Sequence, residues 1–370
     1  MIALGMMSGT SADGIDAVAI ELGDGPRPAV RLLAHLARDY PNAVRYRILA
    51  TASGAPLPIH DLATLHAALG DAYAEAAGAL ILKLRQVGRV PDCIAIHGQT
   101  VAHYPAERAT LQIGDAARVA VLTGVPVISD LRSADIAAGG EGAPLVPFAD
   151  HILFADGTPR VLLNLGGIAN LTLLPSERAE DVIAFDTGPA NMVLDQLARK
   201  SGQERDEDGV GAARGTVVPT ALAAALAHPY LARRAPKSTG REDFGNAFVQ
   251  ALLQDVRQAG GSLDDALATA AALTAESIAL GLERETPDGI SWTELVVAGG
   301  GALNPTLLAR VAERIGLPVR TTADFGIPVE AREAVAFAIL GAFRLRELPN
   351  TLPRCTGASR AVSAGAVHRP

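Results

Sequence analysis

The chain is poor in several residue types, and each scarcity excludes a class of protein. Its 370 residues include two cysteines and one tryptophan, and aromatic residues make up 4% of the total. Cys93 and Cys355 are far apart, and Cys93 lies in an apolar run typical of a small buried hydrophobe. No disulfide framework or zinc site is indicated. Lysine occurs only at positions 83, 200 and 237, which leaves few candidates for lysine-dependent chemistry.

Positive charge and long apolar runs are also scarce. The formal net charge is −8, and no basic run is present, so nucleic acid is not an expected partner. The alanine-rich segments are periodic and interrupted, so no membrane partner is expected either. The first residues lack a charged region followed by a long apolar stretch, which predicts no signal peptide and a cytoplasmic protein. The length and the 49% apolar content predict a well-buried enzyme of two domains.

Small and polar residues are concentrated in residues 5–16, between apolar runs at 2–4 and 17–20. This pattern predicts a strand, a turn rich in Gly, Ser and Thr, and a second strand. Such a turn allows backbone N–H groups and hydroxyls to approach an anion, and Asp13 or Asp16 would hold a divalent cation directly or through water. The hypothesis is therefore a phosphate-binding hairpin, and an ordinary glycine-rich hairpin is its alternative.

A second segment of this kind follows about 150 residues later, at residues 160–174, which hints at two related domains. Two further apolar runs end in glycine motifs, at residues 182–188 and 295–301. Pro189 suits the first turn of a helix, and the glycine-rich stretch 139–144 suits a domain boundary. Strands alternating with helices predict α/β domains. Periodicity predicts helices at 61–87, 115–123, 305–315 and 330–345.

Polar motifs at strand ends predict a ligand site, because ligands of open α/β sheets bind there. None of the three lysines follows a glycine, so the P-loop is excluded, and no segment fits the dinucleotide fingerprint. Two hairpins and a triple glycine before a late helix indicate a different arrangement. Two domains would clamp the phosphates, and the base would pack near the triple glycine.

Taken in order, the motifs resemble the anhydro-N-acetylmuramic acid kinase family, over nearly the whole chain. They are the segments 9–16, 97–100, 111–114, 142–147, 164–170, 186–189, 236–242 and 299–301. The resemblance implies two α/β domains like those of actin, Hsp70 and hexokinase, with an interdomain cleft for ATP and sugar. We expect one domain at residues 1–134 plus about 346–370 and the other at 135–345.

The resemblance also implies the reaction. ATP and Mg²⁺ are used to open the 1,6-anhydro ring of anhydro-N-acetylmuramic acid, giving N-acetylmuramic acid 6-phosphate and ADP in cell-wall recycling. Asp186 matches the catalytic aspartate, a base that suits attack of water on the anomeric carbon; its alternative is a cap of the next helix. Glu333 matches a sugar-site glutamate, and its alternative is an exposed helix carboxylate.

The remaining site residues follow from the same match. The expected sugar-binding residues are His97, Gln99, Thr100, Arg132 and Asp135, and Arg132 would suit the lactyl carboxylate. A homodimer is expected from the family. Two rival functions are an ordinary hydroxyl-directed sugar kinase and an ATP-switched binding module. The expected ATP-binding residues are Gly9, Thr10, Ser11, Ala12, Asp13, Gly14, Ile15, Asp16, Gly166, Gly167, Asn170, Gly299, Gly300 and Gly301.

Overall fold

The computed structural model describes residues 1–9, 12–52 and 57–370. They form two compact units, one of Met1–Leu153 with Gly326–Pro370 and one of Phe154–Phe325. Residues 135–153 and 326–345, which were expected in the second domain, thus belong to the first. The reason is packing, because the helix at 332–345 lies on the first unit's sheet. The predicted cleft concerns the placement of the two units and stays a prediction.

The strands alternate with helices along most of the chain, as the sequence predicted. The strands are β1 (Ile2–Met7), β2 (Gly14–Leu22), β3 (Val30–Asp39), β4 (Cys93–Ile96), β5 (Gln99–Tyr104), β6 (Ala109–Ile113), β7 (Val127–Ser129), β8 (Arg160–Leu165), β9 (Ile168–Leu174), β10 (Ile183–Pro189), β11 (Glu294–Ala298), β12 (Val319–Thr321) and β13 (Ala366–His368).

The α-helices include the four that periodicity predicted, within a few residues at each end. They are α1 (Asn42–Ala52), α2 (Ile59–Gln86), α3 (Ala116–Thr123), α4 (Ser133–Ala137), α5 (Val146–Phe154), α6 (Asn191–Ala198), α7 (Val210–Arg214), α8 (Pro219–Leu226), α9 (Pro229–Ala232), α10 (Arg241–Phe244), α11 (Asn246–Gln258), α12 (Leu263–Glu285), α13 (Pro305–Ile315), α14 (Arg332–Leu345) and α15 (Pro353–Thr356).

The first unit is built on a sheet with the strand order β13-β7-β4-β1-β2-β3. Strand β1 is buried on both faces, because residues of a strand alternate between the two sides of its sheet. Leu4 and Met6 join a core cluster with residues of α2. Gly5 faces α14 so closely that a Cβ atom there would lie 2.0 Å from the carbonyl oxygen of Ala334. Glycine at this position therefore permits α14 to cover the sheet.

The second unit has a sheet with the order β10-β9-β8-β11-β12. Its first three strands are antiparallel, and β11 and β12 run parallel to β8. The first unit repeats this topology, with β1, β2 and β3 antiparallel and β4 and β7 parallel to β1. The predicted α/β fold class of two domains is thus confirmed, and each predicted hairpin opens one of two sheets with the same topology.

One helix of the described residues has the length and apolar composition of a membrane span. This helix is α12, and 78% of its most apolar 18-residue window is buried in the protein. It packs against β10 and against the helices α6, α7, α8 and α13 of the second unit. Its apolar surface is therefore used as the core of this unit.

Candidate active site

Three polar side chains form a row across the sheet of the second unit, close to its glycine turns. Asn164 of β8 pairs with Asn170 of β9, and Asn170 pairs with Asp186 of β10. Residues paired directly in antiparallel strands project to the same face, with Cβ atoms about 5 Å apart. The expected phosphate-site residue Asn170 is therefore a neighbour of the expected base Asp186. Asn164, to which the sequence assigned no role, completes the row.

The carboxylate of Asp186 is held on one side only. Its Oδ2 accepts a hydrogen bond of 3.0 Å from the backbone N–H of Thr239. Its Oδ1 has no hydrogen-bond partner among the residues that the structure describes. The backbone N–H of Asp186 donates to the carbonyl of Lys237 at 3.1 Å, and its carbonyl accepts from the hydroxyl of Tyr230 at 2.7 Å. One carboxylate oxygen is thus fixed and the other is left for a ligand.

The alternative reading of Asp186 as a helix cap is wrong. Helix α6 begins at Asn191, and its N-cap residue is Ala190. The expectation that Pro189 opens this helix is wrong for the same reason, because Pro189 is the last residue of β10 and pairs with Ile168. A strand end accepts proline, since the missing N–H is not needed to continue the ladder.

The surroundings of Asp186 shift its ionisation toward neutral pH. Burial raises the pKa of its carboxyl group to about 7, against the hydrogen bond from Thr239 and the charge of Lys237, while Glu242 adds to the rise. Burial lowers the pKa of Lys237 to about 8, and the charge of Arg284 acts in the same direction. A carboxylate whose pKa lies near the working pH suits general base catalysis.

The two expected phosphate glycines of this unit, Gly166 and Gly167, form the turn between β8 and β9. The carbonyl of Gly166 accepts a hydrogen bond of 3.1 Å from the backbone of Asn191, and the carbonyl of Gly167 accepts bonds of 3.0 Å from Ala190 and Met192. The side chain of Asn191 also donates to Leu165 at 3.1 Å. The turn is therefore fixed to the start of α6.

The triple glycine packs against this same turn. Gly299 has a φ of +83°, and a Cβ atom there would lie 2.8 Å from the carbonyl oxygen of Leu165. A Cβ atom on Gly301 would lie 2.6 Å from the Cβ atom of Leu165, whereas one on Gly300 would meet nothing within 4 Å. Packing thus requires glycine at positions 299 and 301, and Gly300 is exposed to a ligand.

The turn between β1 and β2, in the first unit, is shaped by a backbone hydrogen bond and by a close approach of β3. The N–H of Ala12 donates to the carbonyl of Gly9 at 3.1 Å, and Ala12 has a left-handed φ of 53°. A Cβ atom on Gly14 would lie 2.3 Å from the carbonyl oxygen of Arg38, so Gly14 permits the close approach of β3. Ile15 is buried in the core. Thr10 and Ser11 lie outside the described residues.

The side chain of Gln99 is hydrogen-bonded to the turn between β1 and β2. Its side chain is 2% exposed, its Oε1 accepts a hydrogen bond of 2.8 Å from the hydroxyl of Ser8, and its Nε2 donates to the carbonyl of Gly9 at 3.3 Å. Both ends of the amide are therefore used within the protein. Thr100 is partly exposed and accepts a bond of 3.3 Å from Gln112. Of these two expected sugar residues, Thr100 is the one accessible to a ligand.

The two candidate metal ligands differ in their surroundings. Asp13 is exposed and forms an ion pair of 2.6 Å with Arg45. Asp16 lies 3.3 Å from Nε2 of His35. Burial raises the pKa of Asp16 against the influence of His35, and the charge of Glu330 adds to the rise. Asp16 is thus the carboxylate whose negative charge is less compensated.

Glu333 lies in the first turn of α14, as expected, and is partly buried. Burial raises its pKa, the charges of Arg332 and Arg132 oppose this, and the charge of Asp16 adds to it. Arg332 itself is bound by Asp150 through both carboxylate oxygens. Of the two cations that act on Glu333 among the described residues, Arg132 is thus the one without an ion pair to a carboxylate.

Arg132 and His97 form a buried pair in the first unit. Nη2 of Arg132 lies 2.8 Å from Nε2 of His97, and Nη1 donates to the carbonyl of Gly142 at 2.7 Å. Nε of Arg132 is buried with no partner among the described residues. His97 also lines a pocket of about 150 Å³ with His66, Gln112 and Asp130.

Asp135 is placed differently from the other expected sugar residues. Its side chain is completely buried, and its two oxygens accept hydrogen bonds from the N–H of Gly142 at 2.9 Å and from the hydroxyl of Thr356 at 2.8 Å. Both carboxylate oxygens of Asp135 are thus used within the protein, and one of them holds the loop whose carbonyl accepts from Arg132.

Besides Asn164, four more residues to which the sequence assigned no role lie beside site residues or act on them. They are Tyr230, Lys237 and Thr239, which contact Asp186, and Glu330, whose charge acts on Asp16. One signal was available, because Lys237 is one of three lysines and lies with Thr239 in the motif at 236–242.

Comparison with known proteins extends over the full chain. The family model described as anhydro-N-acetylmuramic acid kinase matches residues 1–370. The anhydro-N-acetylmuramic acid kinase of Salinibacter ruber is 41% identical over 99% of this chain and 96% of its own length. That of Streptomyces coelicolor is 40% identical over 99% of this chain and 93% of its own. A solved ROK family glucokinase from Streptomyces griseus, in complex with glucose and AMPPNP, is 13% identical over 92% of this chain and 99% of its own, with a TM-score of 0.41.

Proposed function

The chain belongs to the anhydro-N-acetylmuramic acid kinase family, and on this premise we propose how its residues divide the work of the reaction. It is a kinase, a phosphotransferase that acts on a sugar. The proposed overall reaction uses ATP and water to convert 1,6-anhydro-N-acetylmuramic acid into N-acetylmuramic acid 6-phosphate and ADP. Its place is the recycling of peptidoglycan.

Asp186 is the proposed general base. Oδ1 of its carboxylate takes a proton from water as the water oxygen forms a bond to the anomeric carbon. The bond from that carbon to O6 breaks, and O6 forms a bond to the γ-phosphorus while the bond to ADP breaks. The observation that carries this role is the one-sided hydrogen bonding of Asp186, with Oδ2 held by Thr239 and a pKa near neutrality. Such a base is worth about 10²–10⁴-fold in rate.

Sugar recognition is assigned to the first unit's polar residues. Glu333 and Thr100 bind sugar hydroxyl or amide groups, and the buried Nε of Arg132 donates to the lactyl carboxylate. A charge-assisted bond of this kind is stronger than a neutral one. Gln99 and Asp135 support the site without touching the sugar, because their polar atoms are used within the protein.

The nucleotide is assigned to the glycine turns. Backbone groups of residues 9–16, with Gly166, Gly167 and Asn170, would hold phosphates, and the exposed Gly300 would allow the adenosine to approach. When bound, Mg²⁺ neutralises charge on the phosphates. Asp16 fits this ion better than Asp13, which Arg45 already pairs. Mg²⁺ is commonly held by one or two carboxylates together with water and phosphate, so the charge at Asp16 and Glu330 suits it.

The experiment that tests this function follows the oxygen atom of water. The protein is incubated with ATP, Mg²⁺ and 1,6-anhydro-N-acetylmuramic acid in ¹⁸O water, and the sugar is analysed by mass spectrometry. A phosphorylated sugar with one ¹⁸O at C1 is the expected product. A phosphorylated sugar whose anhydro ring is intact would instead make the protein an ordinary sugar kinase. ATP hydrolysis without any sugar product would favour an ATP-switched binding module.

Compartment and assembly complete the proposal. We expect the protein to act in the cytoplasm, where ATP is available, and to form a homodimer as a member of its family. Light scattering coupled to size exclusion tests the second point. A mass near 38.1 kDa would indicate a monomer, and twice that mass would indicate the dimer.

A further inference from the structure

Three residues surround Asp186 in an arrangement that the reaction described above does not explain. Tyr230 belongs to α9, and Lys237 and Thr239 lie between α9 and α10. Each of the three makes a different contact with Asp186 or with another of the three. We name Tyr230, Lys237 and Thr239 the Asp186 clamp. The inference rests on the proposed role of Asp186 as the base.

The clamp binds three of the polar groups of Asp186. The Tyr230 hydroxyl donates to its carbonyl at 2.7 Å, its N–H donates to the Lys237 carbonyl at 3.1 Å, and the Thr239 N–H donates to Oδ2 at 3.0 Å. The Thr239 hydroxyl donates in turn to Asp243 at 2.6 Å. These contacts fix the backbone and one carboxylate oxygen, so the direction in which Oδ1 points is set by the clamp.

The second part of the clamp is a buried cation. Lys237 is 5% exposed. Its Nζ lies 4.5 Å from the ring centroid of Tyr230 and 3.5 Å from the Tyr230 carbonyl oxygen. Neither contact neutralises the ammonium charge. A cation–π contact attracts the ammonium to the face of the ring and so holds it in place, and the positive charge of Lys237 lowers the pKa of Asp186.

Other charged groups surround this pair, and they do not replace Lys237. The ones that act on Asp186, Tyr230 or Lys237 are Arg233 after α9, Glu242 and Asp243 of α10, and Arg284 and Glu285 of α12. Of these, only Glu242 acts on Asp186 itself, and it is negative. Among the described residues, Lys237 is therefore the cation that acts on the base.

We propose that the Asp186 clamp is a positioning device for the base, in which Thr239 and Tyr230 orient the carboxylate and Lys237 supplies the positive charge that keeps it ionised. Lys237 is 5% exposed, so its proposed action is through Asp186 and not through direct contact with the sugar or ATP. Burial raises the pKa of the Asp186 carboxyl group, and the hydrogen bond from Thr239 and then the charge of Lys237 oppose this rise, so both favour the ionised base.

The test is the pH profile of kcat/KM for Lys237→Met, which removes the charge and retains the length of the side chain. Loss of an opposite charge raises the pKa of the carboxyl group, so we expect the acid limb of the profile to move up by roughly one pH unit. Lys237→Arg retains the charge and should return the limb toward its original position. Lys200→Met, at an exposed lysine, is the matched control and should leave the profile unchanged.

The outcomes separate the clamp from the function on which it rests. An unmoved acid limb in Lys237→Met, together with an inactive Asp186→Asn variant, would overturn the clamp and leave the base assignment in place. Normal turnover by folded Asp186→Asn would overturn the base assignment itself. Thermal melting checks the fold of each variant, and Lys237→Gln makes the same test if Lys237→Met does not fold.

Discussion

Nη2 of Arg132 lies 2.8 Å from Nε2 of His97, and this contact determines the state of both side chains. A guanidinium group only donates hydrogen bonds, so Nε2 of His97 accepts and the imidazole is neutral. Burial, and then the charge of Arg132, lower the pKa of His97 to about 3. The pair therefore keeps one charge, on Arg132, over the whole range in which the enzyme works.

The positive charge of Arg132 leads to a prediction about recognition of the lactyl carboxylate of the sugar. Arg132→Met should weaken the binding of 1,6-anhydro-N-acetylmuramic acid by about 10- to 100-fold, because a hydrogen bond to a charged group contributes about 1.5–3 kcal/mol. The analogue 1,6-anhydro-N-acetylglucosamine lacks the lactyl group, and its binding should change less than threefold. Calorimetric titration of both sugars measures the two effects.

The control for this titration is Arg85→Met, which removes an exposed arginine of α2 and should bind both sugars as the unmodified protein does. An equal loss for the two sugars in Arg132→Met would contradict recognition of the carboxylate. It would show instead that Arg132 acts on the fold of the loop at Gly142.

Gln99 should affect the nucleotide rather than the sugar. Gln99→Leu removes the bonds to Ser8 and to the Gly9 carbonyl, which leaves buried polar groups unpaired at a cost of about 1–3 kcal/mol. We expect the KM for ATP to rise about tenfold and the KM for the sugar to stay within twofold. Thr100→Val, at the neighbouring and more accessible residue, should show the reverse pattern. Steady-state kinetics with each substrate varied in turn measures both KM values. If both variants raised only the KM for the sugar, the assignment of Gln99 to the nucleotide would be wrong.

Sequence periodicity predicted the α/β class and the positions of the main elements because these depend on local patterns. Apolar spacing predicted the hairpins at residues 1–20 and 160–174 and the helices α2, α3, α13 and α14. The domain boundary does not, because α14 belongs to the first unit through packing on Gly5, and no local pattern records which sheet a helix covers.

The same limit applies to the site. Asp186 was predicted as a site residue from its strand and motif, but its partners Tyr230, Lys237 and Thr239 lie more than forty residues away along the chain. Gln99 belongs to the motif at 97–100 and Asp135 follows β7, yet only the fold shows that their polar atoms are used internally. The sequence motifs therefore proposed candidate site residues without separating ligand contacts from supporting residues.

Asp186 should destabilise the folded protein, so activity and stability are expected to change in opposite directions in Asp186→Asn. Its pKa rises on folding from 3.8 to about 7, so the folded state holds the proton more tightly and loses stability as pH rises through this window. One pKa unit corresponds to about 1.4 kcal/mol, which sets an upper limit of about 4 kcal/mol. The new amide must satisfy its own hydrogen bonds, and the side chain is partly exposed. We therefore expect the free energy of unfolding of Asp186→Asn to exceed that of the unmodified protein by roughly 1–2 kcal/mol at pH 8.

Urea unfolding at pH 8 and at pH 3 measures this effect, and an assay on the same samples measures turnover. The gain in stability should vanish at pH 3, where the carboxyl group of Asp186 is mostly protonated in both the folded and the unfolded protein. At pH 8, kcat of Asp186→Asn should fall by about 10²–10⁴-fold. Asp288→Asn, at an exposed aspartate, is the control. Equal stability of Asp186→Asn and the unmodified protein at both pH values would show that the carboxylate is not strained by burial.

The triple glycine offers a matched set in which packing and ligand access separate by position. Gly301→Ala places a methyl group 2.6 Å from the Cβ atom of Leu165 and should lower the melting temperature, because overpacking costs about 1–3 kcal/mol. Gly300→Ala meets no protein atom within 4 Å, so its melting temperature should not change. If adenosine lies against this residue, the added methyl group raises the KM for ATP while the KM for the sugar is constant. A Gly300→Ala variant with an unchanged KM for ATP would leave the triple glycine with a structural role alone, as the turn that fits β11 against Leu165.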